Sequence, residues 1–541
     1  MTSTTSKRVF GVVAGTAAFA LVLTGCAQGD GGSDGGSAGG SIIVGTTDKV
    51  TFLDPAGSYD NGSFAVMNQV YPFLLNSVQG TADVTPDIAE SAEFTSPTEF
   101  TVVLKDGLKF ANGNDLTSSD VKFSFDRQLA IADENGPSTL LANIASIEAV
   151  DATTVVFTLN NPDDQTFAQI LSSPAAPIVD EDVFSADSVT PDKDIVDGEA
   201  FAGQYTIASY DFNNLISFKA NPDYKGNLGA AKTKNVSLKY YTEASNLKLD
   251  VQEGNIDVAH RSLSATDIAD LQSNDKVKVE IGPGGEIRYI VFNFNTQPFG
   301  ASTAEADPVK ATAVRQAVAS LVDREELSEQ VYKGTYLPLY SFVPAGLTGA
   351  TEVLKDLYGD GAGAPDAESA AAILTAAGVQ TPVVLNLQYN PDHYGGSSGD
   401  EYALVKSQLE ADGLFTVNLQ STEWVTYATE RTEDVYPAYQ LGWFPDYSDA
   451  DNYLQPFFAT ENFLGNHYDN AEVNDLINAQ RVEVDPAARQ ALLEEIQAKV
   501  GADLSTLPLL QGAQIAVTGA TVEGAVLDGS FKFRYGSLVK G

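Results

Sequence analysis

Two hydrophobic periods alternate along this chain. Apolar residues at every second position, or short β-branched runs, predict strands, whereas apolar residues at helical spacing predict helices. Strand patterns recur throughout the sequence, at 100–104, 155–159, 204–207, 216–218, 236–241, 287–294, 383–389, 417–419 and 439–442. Because helical patterns are interspersed with these strands, the sequence predicts an α/β fold.

One helical pattern begins with a clear N-terminal capping signal. Thr117 and Asp120 precede apolar residues at 121, 125 and 129, which is the signature of a capped helix start. Longer apolar patterns predict helices at 64–75, 309–332, 364–378, 402–412 and within 471–500.

The first 25 residues have the layout of a secretory signal peptide. Lys7 and Arg8 are followed by an uncharged apolar run that ends at Leu23. This run is shorter than the roughly 20 residues that a helix needs to cross the hydrocarbon core of a membrane. We therefore expect an exported protein from which residues 1–25 are cleaved.

The single cysteine, Cys26, follows Leu23-Thr24-Gly25, which resembles the lipobox of bacterial lipoproteins. The alternative is an ordinary secretory cleavage site with an incidental cysteine. A lone cysteine forms no intrachain disulfide, and lipidation would anchor the mature chain to a membrane without spanning it. Residues 26–41 are then the lipidated cysteine and a Gly/Ser-rich flexible tether.

Charge and length narrow the class of protein. The chain has 73 acidic and 31 basic residues, and cleavage after Gly25 changes the net charge from −42 to −44. Such a field repels nucleic acid, so a nucleic-acid partner is excluded, while the acidity itself is ordinary for a soluble surface. The length of 541 residues exceeds what one core serves, so two or three lobes are expected.

Catalytic motifs are sparse. The three histidines at 260, 393 and 467 do not have metal-ligand spacing, and the sequence contains neither a Gly-x-Ser-x-Gly elbow nor a phosphate-binding loop. No cofactor or metal is therefore expected. Because carboxylates are plentiful, residue types alone leave an exported hydrolase with a carboxylate pair open.

The segment with the most distinctive chemistry is Gly442–Leu454, which interleaves aromatic and acidic residues. Apolar walls with a few polar groups are typical of a ligand pocket. The alternative is an aromatic core with aspartates that cap helices.

Several segments together resemble the family 5 extracellular solute-binding proteins, the peptide and nickel receptors of ABC importers. The most specific match is LKDGLKFANG at 104–113, followed by LTSSDVKFSFDR at 116–127. Further matches follow in family order at 252–257, 288–293, 314–324 and 332–344, while 201–205 departs from the usual Gly-x-Gly-Pro-Tyr.

This resemblance implies an α/β, bilobal, periplasmic-binding-protein-like (Venus flytrap) fold with an extra subdomain inserted in the first lobe. The implied boundaries are lobe I at 42–75, 180–285 and 510–541, the inserted subdomain at 76–179, and lobe II at 286–509. Hinges are expected near 285–294 and 506–511.

The resemblance also implies a function and a site. Asp446 occupies the position of an aspartate that grips the α-ammonium group of a peptide, and Arg431 resembles an arginine near the ligand carboxylate. A surface ion pair with a neighbouring acid is the alternative for Arg431. A second family arginine is replaced by Gln440. The expected ligand contacts are Asp446, Trp443, Phe444, Tyr447, Arg431, Trp424 and Tyr427.

The implied protein is a receptor without enzymatic activity. We expect a monomer on the extracytoplasmic face of a bacterial cell membrane, held there by lipid, which binds di- or oligopeptides by lobe closure and delivers them to ABC permease subunits. Oligosaccharide and a nickel complex are the alternative ligands.

Overall fold

The structure is a computed structural model that describes residues 41–541 apart from positions 134, 262, 392, 395, 396 and 461. The expected signal peptide, Cys26 and nearly all of the tether lie outside the described residues. Among the described helices, none combines the length and the apolar character needed to cross a bilayer.

Helices occur along the whole described chain. The α-helices are α1 Asn61–Val70, α2 Ser118–Ile131, α3 Phe167–Ile170, α4 Asp192–Asp197, α5 Ala244–Glu253, α6 Ala265–Leu271, α7 Pro308–Leu321, α8 Arg324–Glu326, α9 Val353–Leu357, α10 Ala367–Ala376, α11 Ser398–Glu410, α12 Trp424–Glu430, α13 Asp451–Phe458, α14 Ala471–Val482 and α15 Pro486–Asp503. Short 3₁₀ turns lie at Pro55–Gly57 and Ser138–Leu141, and a π-type turn lies at Leu327–Val331.

Strands alternate with these helices. They are β1 Ile42–Thr46, β2 Leu75–Ser77, β3 Val84–Pro86, β4 Ala89–Ser96, β5 Glu99–Leu104, β6 Ile144–Ala149, β7 Thr154–Leu159, β8 Tyr205–Asp211, β9 Leu215–Ala220, β10 Asn235–Tyr240, β11 Val258–His260, β12 Val277–Phe292, β13 Tyr336–Pro338, β14 Val383–Tyr389, β15 Phe415–Ser421, β16 Ala438–Trp443, β17 Thr506–Gly519, β18 Val522–Glu523 and β19 Val539–Lys540. The predicted α/β class is confirmed.

The largest sheet runs in the order β15-β14-β16-β12-β17-β11-β1-β10-β9-β8, with β13 beside β17. Parallel pairs (β1 with β10 and β11, β14 with β15 and β16) and antiparallel pairs both occur in it. A separate four-stranded antiparallel sheet, β4-β5-β7-β6, packs with α2.

Two long strands run through the centre of the large sheet. β12 and β17 pair antiparallel along most of their length, with a register shift between Pro283 and Ile287. Residues before the shift pair with 513–519, and residues after it pair with 506–511. The ladder is therefore interrupted at Gly284–Glu286, beside the predicted hinge segments.

Buried side chains form separate clusters. The first cluster, called the 287–510 core, includes residues of β12 within 287–292 and of α7 within 313–321. Residues of α11, α13 and α15 also belong to it. The 73–202 core lies between the four-stranded sheet and α2. A third cluster collects β1, β8–β10 and the chain end at 533–538, and a small fourth cluster surrounds Leu247 and Val251.

Some predicted boundaries hold and others do not: the strand predicted at 287–294 begins ten residues earlier, at Val277, and the helix predicted at 402–412 begins at Ser398. The capped start at Thr117 is confirmed: its hydroxyl accepts from Ser119 N, and Asp120 accepts from the Thr117 backbone N–H. The predicted helix at 309–332 is interrupted at Val322, because Asp323 caps a new turn by accepting from Glu326 N at 2.9 Å. The predicted helix at 64–75 begins earlier and ends at Val70, and the chain is extended at Tyr71.

Candidate functional site

The segment Gly442–Leu454 connects a central strand to a helix. β16 pairs with β12, so that Gly442 lies opposite Arg288 and Trp443 opposite Ile287. The chain then leaves the sheet at Phe444 and enters α13 at Asp451. The loop between them therefore emerges beside the interrupted part of the β12–β17 ladder.

One amide organises this loop. Asn452 Oδ1 accepts from Trp443 Nε1 at 3.0 Å and from Asp446 N at 2.9 Å, and its Nδ2 donates to Asp446 Oδ2 at 3.0 Å. The ring of Trp443 also packs edge-on against Phe457, with centroids 5.1 Å apart. Asn452 thus fixes the positions of both predicted contact residues. No sequence motif indicates this role for Asn452.

Asp446 is a partly buried carboxylate without a cationic partner among the described residues. Burial raises its pKa to about 6, and the hydrogen bond from Asn452 opposes this rise only in part. A positive charge placed against this carboxylate would stabilise its ionised form. The site is therefore suited to a cationic group.

The two neighbouring aspartates are already paired. Arg489 donates to both carboxylate oxygens of Asp449, at 2.9 and 2.7 Å, and Asp449 Oδ1 also accepts from Asp451 N. Asp451 is buried and accepts from Gln480 Nε2 at 2.5 Å. Asp449 therefore connects the start of α13 to α15 and Asp451 connects it to α14, whereas Asp446 has no such charged or interhelical partner among the described residues.

The aromatic side chains of the loop have different surroundings. Phe444 is 41% exposed, which is unusual for a ring of this size. Tyr447 packs against the 73–202 core, and its hydroxyl donates to Asp451 Oδ2 at 3.2 Å. The ring of Phe444 is therefore accessible, whereas the ring of Tyr447 contacts the 73–202 core. Trp443 packs against the 287–510 core.

Trp424 and Tyr427 lie one turn apart on α12 but in different environments. Trp424 is partly buried and stacks on His393, with centroids 3.7 Å apart. Tyr427 is fully buried, and its hydroxyl donates to Gln440 O at 2.6 Å. Because Tyr427 has no accessible surface, its place is in the packing behind the site, which departs from its expected role as a ligand contact.

Arg431 is buried rather than exposed. Its guanidinium lies 4.7 Å from the ring centroid of Phe463, and Nη1 lies 3.4 Å from the carbonyl oxygens of Phe463 and Leu464. Among the described residues no carboxylate lies within ion-pair distance of it. The alternative for Arg431, a surface ion pair with Glu430, Glu433 or Asp434, is therefore not what the structure contains.

Gln440 and Arg288 meet at one hydroxyl. Gln440 is fully buried, and its Nε2 donates to Ser398 Oγ at 3.0 Å, as does Arg288 Nη2. Arg288 also donates to Glu401 Oε2, at 2.6 Å from Nη2, in a pair that is fully buried. An arginine at 440 would bring a second positive charge to Ser398, so the amide is physically reasonable here.

Metal-ligating side chains are scattered among the described residues. Their His, Cys, Asp and Glu side chains do not gather in groups of three or more that could hold an ion.

The large mixed sheet with its two long central strands is that of a periplasmic-binding-protein fold, bilobal and α/β. The model of the bacterial extracellular solute-binding proteins, family 5 (middle part), matches residues 83–465, which is more than half of the chain. The chain belongs to this family of solute-binding proteins.

Individual relatives are distant but span nearly the whole chain. A probable D,D-dipeptide-binding periplasmic protein (DdpA) of Escherichia coli K12 is 24% identical over 498 residues, covering 90% of this chain and 91% of that protein. Heme-binding protein A of Haemophilus influenzae is 25% identical over 501 residues, covering 85% of each.

Solved structures agree on the fold. HbpA2 of Haemophilus parasuis has a TM-score of 0.78 at 20% identity and covers 93% of this chain and 100% of that one. The periplasmic binding protein DppA of Helicobacter pylori, in complex with the peptide STSA, has a TM-score of 0.71 at 18% identity and covers 93% and 98%.

Proposed function

We propose that this chain is the extracytoplasmic receptor of an ABC importer and that it binds peptides through their α-ammonium group. The observation that carries the proposal is the state of Asp446, whose carboxylate is partly buried beside aromatic rings and has no cationic partner among the described residues. A charge-assisted hydrogen bond from an ammonium to such a carboxylate contributes about 1.5–3 kcal/mol.

The exposed fraction of each predicted site residue decides which of them we propose as direct contacts of the ligand. Asp446 is the anchor, Trp443 and Phe444 are the adjoining rings, and Trp424 and Tyr447 border the site. Arg431 remains a proposed partner for the ligand, reachable only if Phe463 moves, because that ring now covers its guanidinium. Tyr427 supports the site from within the core.

Relatives support peptide as the ligand class. Several are named for dipeptides, di- and tripeptides or glutathione, and two solved relatives are complexes with the peptides STSA and Met-Leu. One relative is named for heme, so the family name alone does not decide the ligand. The unpaired carboxylate favours an ammonium-bearing ligand over an oligosaccharide.

We further propose that the lobes expected from the sequence, lobe I at 42–75, 180–285 and 510–541 and lobe II at 286–509, close over the ligand, with 76–179 as a subdomain of lobe I. The interrupted ladder at Gly284–Glu286 supports a hinge there, since unpaired backbone bends more easily than a continuous ladder. Closure would bury the ligand and present one form to permease subunits.

The proposal includes export and anchoring. A lipid on Cys26 and the tether to residue 41 would hold a monomeric receptor near its importer at high effective concentration. Replacement of Cys26 by serine is expected to release the protein from cells into the medium, as measured by fractionation. Retention of the Cys26→Ser variant in the membrane fraction would contradict the lipid anchor.

Two measurements test the ligand class. Mass spectrometry of ligand that copurifies with the protein identifies its chemistry, and calorimetry with that ligand compares wild type with Asp446→Ala. We expect the variant to lose binding of free-amine peptides while keeping its fold. Asp115→Ala, which removes a 73% exposed carboxylate, is the control for the change in net charge. Equal affinity of Asp446→Ala and wild type would refute the ammonium site.

Absence of enzymatic activity is also part of the proposal. Incubation of the pure protein with peptides or glycosides is expected to give no product. More than one product molecule per protein molecule would show that the chain is not only a receptor.

A further inference from the structure

Two cations near the end of the chain lie side by side. Lys532 Nζ and Arg534 Nη2 each lie 3.1 Å from the same atom, Asn76 Oδ1, so the two positive groups are close neighbours. Lys532 also donates to Ser172 O at 2.7 Å and lies 5.3 Å from the ring centroid of Phe73. Lys532 is partly buried, and Arg534 is 3% exposed.

Neither cation has a carboxylate within ion-pair distance among the described residues. The two carboxylates whose charge acts on both cations are hydrogen-bonded to other groups: Asp87 accepts from Tyr224 OH, Asn227 N and Phe73 N, and Asp528 accepts from Gly80 N and from Ser530. One guanidinium nitrogen of Arg534, Nη1, is buried without a hydrogen-bond partner.

The cation pair lies close to the loop of Asp446. A methyl group built on Gly285 would lie 2.5 Å from Pro445 Cγ and 2.6 Å from Phe531 Cε2, so these two side chains meet over Gly285. Asp446 directly follows Pro445, and Lys532 directly follows Phe531. In addition, Tyr447 packs against the 73–202 core, to which the Phe73 under Lys532 belongs.

We propose that Lys532, with Arg534 behind it, is the subsite for the ligand's carboxylate. This inference rests on the proposed function and deepens it, because it makes the ligand a zwitterion whose ammonium lies at Asp446 and whose carboxylate lies at Lys532. This subsite would bind the ligand's carboxylate in place of the family arginine whose position Gln440 occupies in this chain.

The electrostatics of the pair are consistent with an incoming anion. Burial, followed by the charge of Arg534, lowers the pKa of Lys532 to about 7. A carboxylate placed beside Lys532 would restore its proton and relieve the repulsion between the two cations. Lys532 is the more accessible of the two and is therefore the proposed direct contact, whereas Arg534 is a positioning residue held by Ser77 O and Ser77 Oγ.

The test uses one peptide in three forms. Tri-alanine is titrated into the full-length mature protein as the free peptide, as the C-terminal amide and as the N-acetyl derivative, with wild type, Lys532→Met, Lys532→Arg and Asp446→Asn. In wild type, amidation is expected to weaken binding roughly 10- to 100-fold, the range of a charge-assisted hydrogen bond. Lys532→Met should bind acid and amide equally while still rejecting the acetylated peptide, and Lys532→Arg should restore the preference for the acid.

The outcomes separate this inference from the proposal on which it rests. If tri-alanine binds and amidation costs as much in Lys532→Met as in wild type, another group holds the carboxylate and the inference fails alone. If amidation costs nothing in wild type, it also fails alone. If no form binds wild type, the inference fails together with the peptide proposal for this probe. Thermal melting of each variant checks that binding is lost from a folded protein.

Discussion

Asp446 makes peptide binding depend on pH in a direction that the structure determines. Its pKa in the free protein is about 6, raised by burial. An ammonium group lowers that pKa again, so the ionised carboxyl is the form that binds. Binding is therefore expected to strengthen as the pH rises from 5 to 7 and to release a proton when it occurs near pH 6.

The magnitudes follow from the shift. With a pKa of about 6, roughly one carboxyl in ten is ionised at pH 5, so affinity at pH 5 should be about tenfold weaker than at pH 7. At pH 6 about half a proton should be released per peptide bound. Above about pH 7.7 the peptide's own α-amino group loses its proton, and affinity should fall again.

Calorimetry in buffers of different ionisation enthalpy measures both quantities. Asp446→Asn is the matched control, because an amide oxygen still accepts from Asn452 but cannot titrate. The difference between wild type and this variant cancels proton exchange at every other group, Lys532 included. The variant should bind about tenfold more weakly at pH 7 and nearly equally at pH 5. A ratio that stays constant across this range would refute the assignment of Asp446 as the ammonium site.

Three further substitutions test the surroundings of the site. Gly285→Ala places a methyl group within 2.6 Å of Pro445 and Phe531, and it is expected to weaken peptide binding and to destabilise the fold by about 1–3 kcal/mol, as seen by calorimetry and urea unfolding. Glu401→Gln leaves buried Arg288 with only Glu286, 3.6 Å from Nη1, as a charged partner, and we expect about 1–3 kcal/mol of destabilisation, so that a melting temperature equal to wild type would contradict the pair's role. Gln440→Arg adds a second guanidinium at Ser398 and should lower the melting temperature without strengthening binding of free-acid peptides; tighter binding would contradict our account of Gln440.

Local patterns of the sequence predicted local structure well. The strand at 383–389 has the bounds of β14, and the cap at Thr117 lies where the spacing of Asp120 placed it. Both depend on residues within a few positions of each other. The interruption at Val322 was missed because the apolar spacing continues through it, although the capping contact of Asp323 with Glu326 N is as local as the cap at Thr117.

The site was harder to predict, because its electrostatics depend on distant partners. Asp446 and Asp449 are the same residue type. They differ because Arg489, which is distant in sequence, forms an ion pair with Asp449, while Asp446 has none among the described residues. Tyr427 has the composition of a contact residue, yet β16 presents the Gln440 carbonyl to it and makes it part of the core. The resemblance to a family pointed to the loop at 442–454, which stays a prediction, and the pairing of each side chain in it could come only from the fold.

Because acidic residues are in large excess in this chain, a buried charged side chain without an ion pair is a better indicator of a binding site than the presence of a charge alone. With 73 acidic residues against 31 basic ones, most carboxylates must lack a cation, and an exposed one loses little by it because water solvates it. A partly buried one, such as Asp446, retains a desolvation cost that a bound ammonium would offset. Lys532 and Arg534 also have no ion pair within the described residues, and because both donate to Asn76 Oδ1, each is held against the repulsion of the other. Asp446 and the Lys532–Arg534 pair have opposite sign and flank Gly285 through Pro445 and Phe531, and this is the arrangement that a ligand with opposite charges at its two ends would complete.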